Sequence, residues 1–283
     1  MTILQSILLG LLQGVAEFLP ISSSGHLKIA QTLFSLEEIP LLFDVFLHLA
    51  TLLAVCIFFR NKIAELFFAF LGLFKANKNS DPEKVLLRKN DRNYLFAIIA
   101  ATFVTGVMGV ATKKLMDEER ISIKAICAGL IVTAVLLVFS ALVEKRRVPS
   151  NSTEGILEEK KSPSLVQSLI IGFAQGIGTL PGISRSGSTI AGALFCGVNR
   201  QCAGEFSFIV SIPAILGAFL LELKDLEKVT ETVGTAALAA GCIAAFVSGY
   251  LALKFLMGLI KKGRLHWFAA YLIPVGIIGL ICL

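Results

Sequence analysis

The chain has 283 residues, 55% of them hydrophobic and only 16% charged, with a mean hydropathy of +0.81. Adding its 24 glycines brings the apolar share to roughly 63%, against about 45–50% on the same count in soluble domains. That balance excludes a soluble globule, a disordered chain and a nucleic-acid binder, so the placement of the 26 basic and 20 acidic residues matters more than their sum.

Apolar runs of about 16–28 residues predict an all-α integral membrane protein, not a barrel of short alternating strands. Residues 1–283 read as a single membrane domain. The first run, 3–19, stops at Pro20 and a serine cluster and resumes as a short apolar piece. A re-entrant helical hairpin is predicted over 3–34, with a plain seventh crossing as the alternative. Crossing helices follow at 43–59, 94–111 and 125–143. A second interrupted stretch, 165–198, repeats the hairpin pattern, and crossings at 206–221, 233–260 and 267–283 close the chain. The expected architecture is six crossing helices plus two re-entrant helical hairpins.

Charge in the loops sets the orientation. Residues 60–92 carry eight Lys/Arg, 144–161 carry five, and Lys261, Lys262 and Arg264 form a third group. By the positive-inside bias all three face the cytoplasm. Acidic groups at 117–119 and 222–231 fall in the intervening loops, on the outside, and the alternation places both termini outside. The six cysteines are scattered without C-x-x-C spacing, so they form neither a disulfide framework nor a zinc site. The N-terminus lacks a basic leader and a cleavage site, and Met1 is expected to begin the mature protein.

An internal repeat organises the whole. Shifted by 162 positions, residues 5–25 align with 167–187 without a gap and are identical at nine of 21 positions, where biased composition gives roughly two. Three crossings lie between the copies, so they point oppositely. This is an inverted-topology repeat of halves 1–143 and 164–283, with interrupted helices meeting near the midplane.

The copies are most informative where they differ. The first has Glu17, Ser23 and His26; the equivalent positions of the second hold Thr179, Arg185 and Ser188. Ionisable groups at membrane depth are costly and default to a functional role. A pseudo-twofold axis brings the two hairpin tips, and so these groups, into one cavity. Gln13 and Glu17 are four apart on one helical face ahead of Pro20. Ser22, Ser23 and Ser24 occupy the turn into the next helix, where free N–H groups and the positive dipole end favour an anion. His26 follows within reach of a serine hydroxyl. In the second copy Gly182 and Gly187 allow close backbone approach, and Arg185 offers a donor fork suited to phosphate. Together these groups suit a diphosphate, with a divalent cation between Glu17 and the phosphate oxygens. Asp44 and His48, four apart near the end of a crossing, read as a packed polar pair rather than ligands.

Two motifs carry a resemblance. Gln13…Glu17 running into Ser22–His26, and Pro181-Gly182-Ile183-Ser184-Arg185-Ser186-Gly187-Ser188-Thr189, resemble the signatures (E/Q)-x-x-x-E with G-H and P-G-x-S-R-S-x-x-T of the bacterial undecaprenyl-diphosphate phosphatases, linked to bacitracin resistance. The first motif position is Gln, a variant the family pattern admits. The resemblance extends in hydrophobic layout over nearly the whole chain. It implies hydrolysis of a C55 isoprenyl diphosphate to the monophosphate at the outer face of the bacterial cytoplasmic (inner) membrane, recycling the carrier for cell-wall synthesis, with a divalent cation (Mg2+ or Ca2+). Carried over by position, Glu17 is essential and a metal contact, Ser23 the nucleophile, His26 an acid/base partner and Arg185 the diphosphate clamp. Gln13, Ser22, Ser24, Gly182, Ser184, Ser186 and Thr189 line the substrate site. The implied partners are the polyprenyl diphosphate and the bilayer, with a homodimer possible and no nucleic acid.

The residues themselves leave alternatives open. Glu17 or His26 could serve as base, and water or His26 could attack in place of Ser23. Ser24-Gly25-His26 and Ser184-Arg185 also superficially match a different membrane phosphatase superfamily, but the second histidine that superfamily needs after the arginine is absent. The competing function is an inverted-repeat transporter or flippase of a phosphorylated lipid without hydrolysis.

Overall fold

The computed structural model describes residues 1–36, 41–73, 82–115, 122–147, 162–222 and 232–282. Among these residues there is helix and no strand. The helices are α1 (Ile3–Phe18), α2 (Ser23–Leu33), α3 (Leu41–Phe58), α4 (Arg60–Gly72), α5 (Pro82–Leu115) and α6 (Ile123–Arg147), then α7 (Leu165–Ile177), α8 (Arg185–Phe195) and α9 (Arg200–Glu222). They are followed by α10 (Thr235–Lys261), a 3-10 turn at Leu265–Phe268 and α11 (Ala269–Cys282). Among the described residues six segments are long and apolar enough to cross a membrane: Leu41–Phe58, Asn90–Thr112, Ile123–Arg146, Arg200–Leu221, Thr235–Lys261 and Leu265–Cys282.

By contrast α1 and α7, with 16 and 13 residues, are too short. At 1.5 Å per residue they reach about 24 and 20 Å, less than the ~30 Å hydrocarbon core. Each pairs with the helix that follows it, α1 with α2 and α7 with α8, which fits two re-entrant hairpins. Both start from the same capping box. The side chains of Thr2 and Ser164 accept from the backbone N–H of Gln5 and Gln167, whose side chains reach back to the cap residues. Both second helices also begin alike, with Ser22 and Ser184 accepting from the N–H groups of Gly25 and Gly187.

The packing carries the repeat into three dimensions. α1 lies along α10 as α7 lies along α5, while α3 meets α9 and α6 meets α11. This is the exchange that twofold-related halves require. Repeated glycines permit it: a Cβ on Gly172 would stand 2.5 Å from the Ala101 carbonyl oxygen of α5, and one on Gly10 would strike the Gly241 carbonyl of α10. Such small-residue contacts let membrane helices approach closely.

Two expectations need correction. The basic stretch 60–92 is not simply a loop, because 60–72 forms α4. Its Lys62 Nζ donates to Glu65 at 3.0 Å and to Asp91 of α5 at 3.1 Å, docking α4 against α5. The helix holding the predicted 206–221 crossing begins six residues earlier, at Arg200, where Cys202 N–H is capped by the Asn199 side chain at 2.8 Å. The loops at 117–119 and 223–231 lie outside the described residues. None of the six cysteines, all among the described residues, forms a disulfide.

Candidate active site

The two hairpin tips touch. Ser186 Oγ donates to the Phe18 carbonyl at 3.1 Å, and the Gly25 and Gly187 backbones pass so close to Gly182 and Pro20 that a Cβ would sit 3.3 and 3.1 Å from them. This contact brings Glu17, near the end of α1, to Arg185, the first residue of α8. Arg185 Nη2 pairs with Glu17 Oε1. The Glu17 side chain is 4% exposed and Arg185 18%, so the pair is held mostly away from water and is open on one side.

The other carboxylate oxygen accepts two hydrogen bonds and has an imidazole beside it. Glu17 Oε2 accepts from Ser23 Oγ at 2.6 Å and Gln13 Nε2 at 3.0 Å, and His48 Nε2 stands 3.3 Å away. A hydroxyl donating to a buried carboxylate at this distance has the geometry of a nucleophile beside its base. The Gln13 contact follows from its i, i+4 spacing, and Gln13 Oε1 is buried with no hydrogen-bond partner. Ser23 opens α2, so free N–H groups at that helix end lie beside the same cluster.

The backbone at this turn is strained. Ser22 has φ +71° and ψ 95°, a conformation few non-glycine residues adopt, and such strain collects at functional sites. The turn lets one carbonyl serve His26 twice: Ser22 O accepts from the His26 backbone N–H at 3.2 Å and from His26 Nδ1 at 2.9 Å. The ring therefore carries a proton on Nδ1, leaving Nε2 to accept from Tyr271 OH of α11 at 2.8 Å. The two rings stack with centroids 5.7 Å apart. This corrects the expected serine partner for His26: the ring is turned to a carbonyl and a phenol, not to a hydroxyl of the serine cluster.

Several residues expected to bind substrate hold the hairpins together in this state. Ser22 and Ser184 are helix caps, and Ser184 N–H donates to Thr133 of α6 at 2.9 Å. Ser186 bonds Phe18 and Ser184, and Thr189 Oγ1 donates to the Arg185 carbonyl at 2.6 Å, which fixes the turn that carries Arg185. Gly182, at φ +84°, presses against the Ile126 carbonyl of α6, so its missing side chain serves packing. Ser24 is exposed and makes only a 3.5 Å contact with Ser22.

Two residues join the site that the motifs do not contain. Tyr271 carries no signal beyond being an aromatic in a crossing. His48 did have one, an imidazole four residues after Asp44 inside an apolar run, and the reading of this pair as mere packing is corrected by its contact with Glu17. Asp44 itself accepts from Gln31 of α2 at 2.8 Å.

The donor set bears on the implied cation. Among the described residues no cluster of three or more His, Cys, Asp or Glu could hold a metal. Glu17 and the unpartnered Gln13 Oε1 are hard oxygens, and with two phosphate oxygens they fit an ion of the Mg2+ or Ca2+ kind.

Comparison with known proteins gives the family. The family model described as "Bacitracin resistance protein BacA" matches residues 6–278. An undecaprenyl-diphosphatase of Treponema denticola is 48% identical over 277 residues, covering 98% of this chain and 96% of the relative. One from Methanosphaera stadtmanae is 39% identical over 281 residues, covering 99% and 97%. Another, from Carboxydothermus hydrogenoformans, is 36% identical over 276 residues, covering 96% and 94%.

Proposed function

The chain belongs to the bacitracin resistance protein BacA family, and from that premise we propose that it hydrolyses undecaprenyl diphosphate to the monophosphate and inorganic phosphate. The observation that carries the reading is the Ser23 hydroxyl 2.6 Å from Glu17 Oε2, with Arg185 on the opposite oxygen.

The geometry suggests the order of events. Arg185 turns from Glu17 to the diphosphate, where its fork neutralises the equatorial oxygens as charge spreads in the loose transition state. The N–H groups opening α2 add to that field. Ser23 Oγ attacks the terminal phosphorus while its proton passes to Glu17 Oε2. The bond from phosphorus to the bridging oxygen breaks, releasing undecaprenyl phosphate and leaving a phosphoserine. Water then attacks that phosphorus, frees inorganic phosphate and restores the serine. His26, one turn along α2 from Ser23, is the second acid/base group, its Nδ1–H bonded to Ser22 and its Nε2 covered by the Tyr271 hydroxyl, which must move aside for that role. A divalent cation held by Glu17 and Gln13 with the phosphate oxygens would supply further positive charge there.

A flippase without hydrolysis leaves the Ser23–Glu17 contact without a purpose. The proposed setting is the outer face of the bacterial cytoplasmic membrane, with both termini outside, supported by the basic groups at 60–92, 144–161 and 261–264. Recycling of the lipid carrier for the cell wall, and bacitracin resistance, follow from the activity.

The test is phosphate release from a polyprenyl diphosphate by purified protein in detergent. Wild type turns over, chelation suppresses turnover until Mg2+ or Ca2+ is restored, and Arg185→Ala is inactive. Full turnover by Arg185→Ala would sink the reading.

A further inference from the structure

The Glu17 carboxylate faces a mechanical problem in the reaction just proposed. Its side chain has three rotatable bonds, and the partner that grips it most firmly, Arg185, is also the group that must turn to the diphosphate. When the guanidinium leaves Oε1, something else has to hold Oε2 against Ser23. Gln13 is a poor reference for this, because it sits four residues back on the same helix and moves with Glu17.

His48 is placed to do it. It projects from α3, a different element, and its Nε2 stands 3.3 Å from Glu17 Oε2. The ring is fixed from behind, since Nδ1 lies 2.7 Å from the Asp44 carbonyl one turn earlier. A carbonyl only accepts, so Nδ1 carries a proton. Nε2 is then the nitrogen that faces Glu17 Oε2, within ion-pair reach of the carboxylate. The same stretch of α3 is tied to the helix that carries Ser23: Gln31 Nε2 of α2 donates to Asp44 Oδ1 at 2.8 Å. A closed circuit thus runs from Ser23 to Glu17, His48, the Asp44 segment, Gln31 and back along α2. It references the carboxylate to the very helix on which its proton donor stands.

We infer that His48 is a positioning residue that keeps Glu17 Oε2 aligned on Ser23 Oγ while Arg185 is engaged with the diphosphate. The inference rests on the hydrolytic reading above and assigns His48 no contact with substrate. With a quarter of its side chain exposed, against 4% for Glu17, the ring sits at the edge of the cluster and acts through its neighbour.

Two amide variants separate the roles of the two ring nitrogens. In His48→Gln the amide nitrogen reaches about as far as Nε2 and can still donate to Glu17. In His48→Asn it reaches only about as far as Nδ1, so it preserves the local bond to Asp44 and loses Glu17. The experiment is steady-state phosphate release from a polyprenyl diphosphate in detergent, with gel filtration and thermal midpoint for each protein and Glu17→Ala alongside. His48→Gln should keep kcat within about threefold of wild type, while His48→Asn loses about ten- to a hundredfold in kcat with KM little changed, the scale of one polar contact to a buried charge. Wild-type kcat in folded His48→Asn would overturn the inference. So would equal losses in the two variants, or a change confined to KM. If His48→Asn does not fold, a folded His48→Gln below a tenth of wild-type kcat overturns it and near-wild-type turnover supports it. Full turnover by Glu17→Ala would instead defeat the hydrolytic reading itself, and the inference with it.

Discussion

Replacing Glu17 by Gln changes one atom and tests the whole arrangement. In the native site Oε1 faces the Arg185 guanidinium, and Oε2 faces the Ser23 hydroxyl, the Gln13 amide and the His48 ring. Both oxygens therefore meet donors. A glutamine must turn its NH2 toward one side, and either choice sets donor against donor. With the carbonyl on Arg185, the amide hydrogens point at Gln13 Nε2 and His48, and Ser23 loses its proton acceptor. With the amide reversed, two cationic or amide N–H groups face each other at Arg185, and the carbonyl left beside Ser23 is far too weak a base to take its proton. Loss of a general base costs typically 10²–10⁴ in rate, or about 2.7–5.5 kcal/mol at 1.36 kcal/mol per decade. Glu17→Gln should lie within that range in kcat, measured by phosphate release in detergent on protein that elutes as wild type. Because Glu17 and Ser23 act as a unit, the Glu17→Gln/Ser23→Ala double variant should be no slower than the worse single variant by more than about threefold. A Glu17→Gln enzyme above a tenth of wild-type kcat, or fully multiplicative losses in the double variant, would refute the reasoning.

Other consequences follow from the same contacts. Tyr271→Phe removes the hydroxyl that caps His26 Nε2 and keeps the stacked ring, so kcat should change by less than about tenfold while His26→Ala loses at least that much; identical losses in both would contradict the assignment. Gly172→Ala forces a Cβ to within 2.5 Å of the Ala101 carbonyl and should lower stability by about 1–3 kcal/mol, seen as a lower thermal midpoint in detergent. Gly106→Ala, with nothing within 4 Å, should be neutral or slightly stabilising, and a drop equal to that of Gly172→Ala would show the helix contact to be irrelevant. In a cysteine-free background, single cysteines at Glu38 and Lys78 should react with an impermeant thiol reagent from the outside and the inside respectively; the reverse pattern would invert the proposed orientation.

Much of the fold can be read in the residues because a membrane makes the code simple. Apolar runs mark the crossings, and only the helix ends shift: Arg200 starts α9 under polar residues that a hydropathy reading passes over. α4 has apolar residues at Ile63, Leu66, Phe67 and Phe70, a helical spacing that the surrounding lysines obscure. The repeat reveals the meeting of the hairpin tips, and with it the approach of Glu17, Ser23 and Arg185. Motif spacing is less able to separate chemistry from scaffolding. Ser184, Ser186 and Thr189 stand in the same motif as Arg185 yet spend their hydroxyls on caps and carbonyls, since a turn that must aim one guanidinium needs those bonds. His48 and Tyr271 lie far from both motifs, on α3 and α11, and only the packing of those helices brings them to the site.

The covalent step offers the most direct measurement. Purified enzyme is mixed with a polyprenyl diphosphate labelled in its terminal phosphate, quenched in acid within a turnover, and mapped for phosphorylated residues. The account predicts label on Ser23, and neither label nor turnover above about one hundredth of wild type in Ser23→Ala. Steady turnover with no labelled serine, together with an unimpaired Ser23→Ala enzyme, would contradict it.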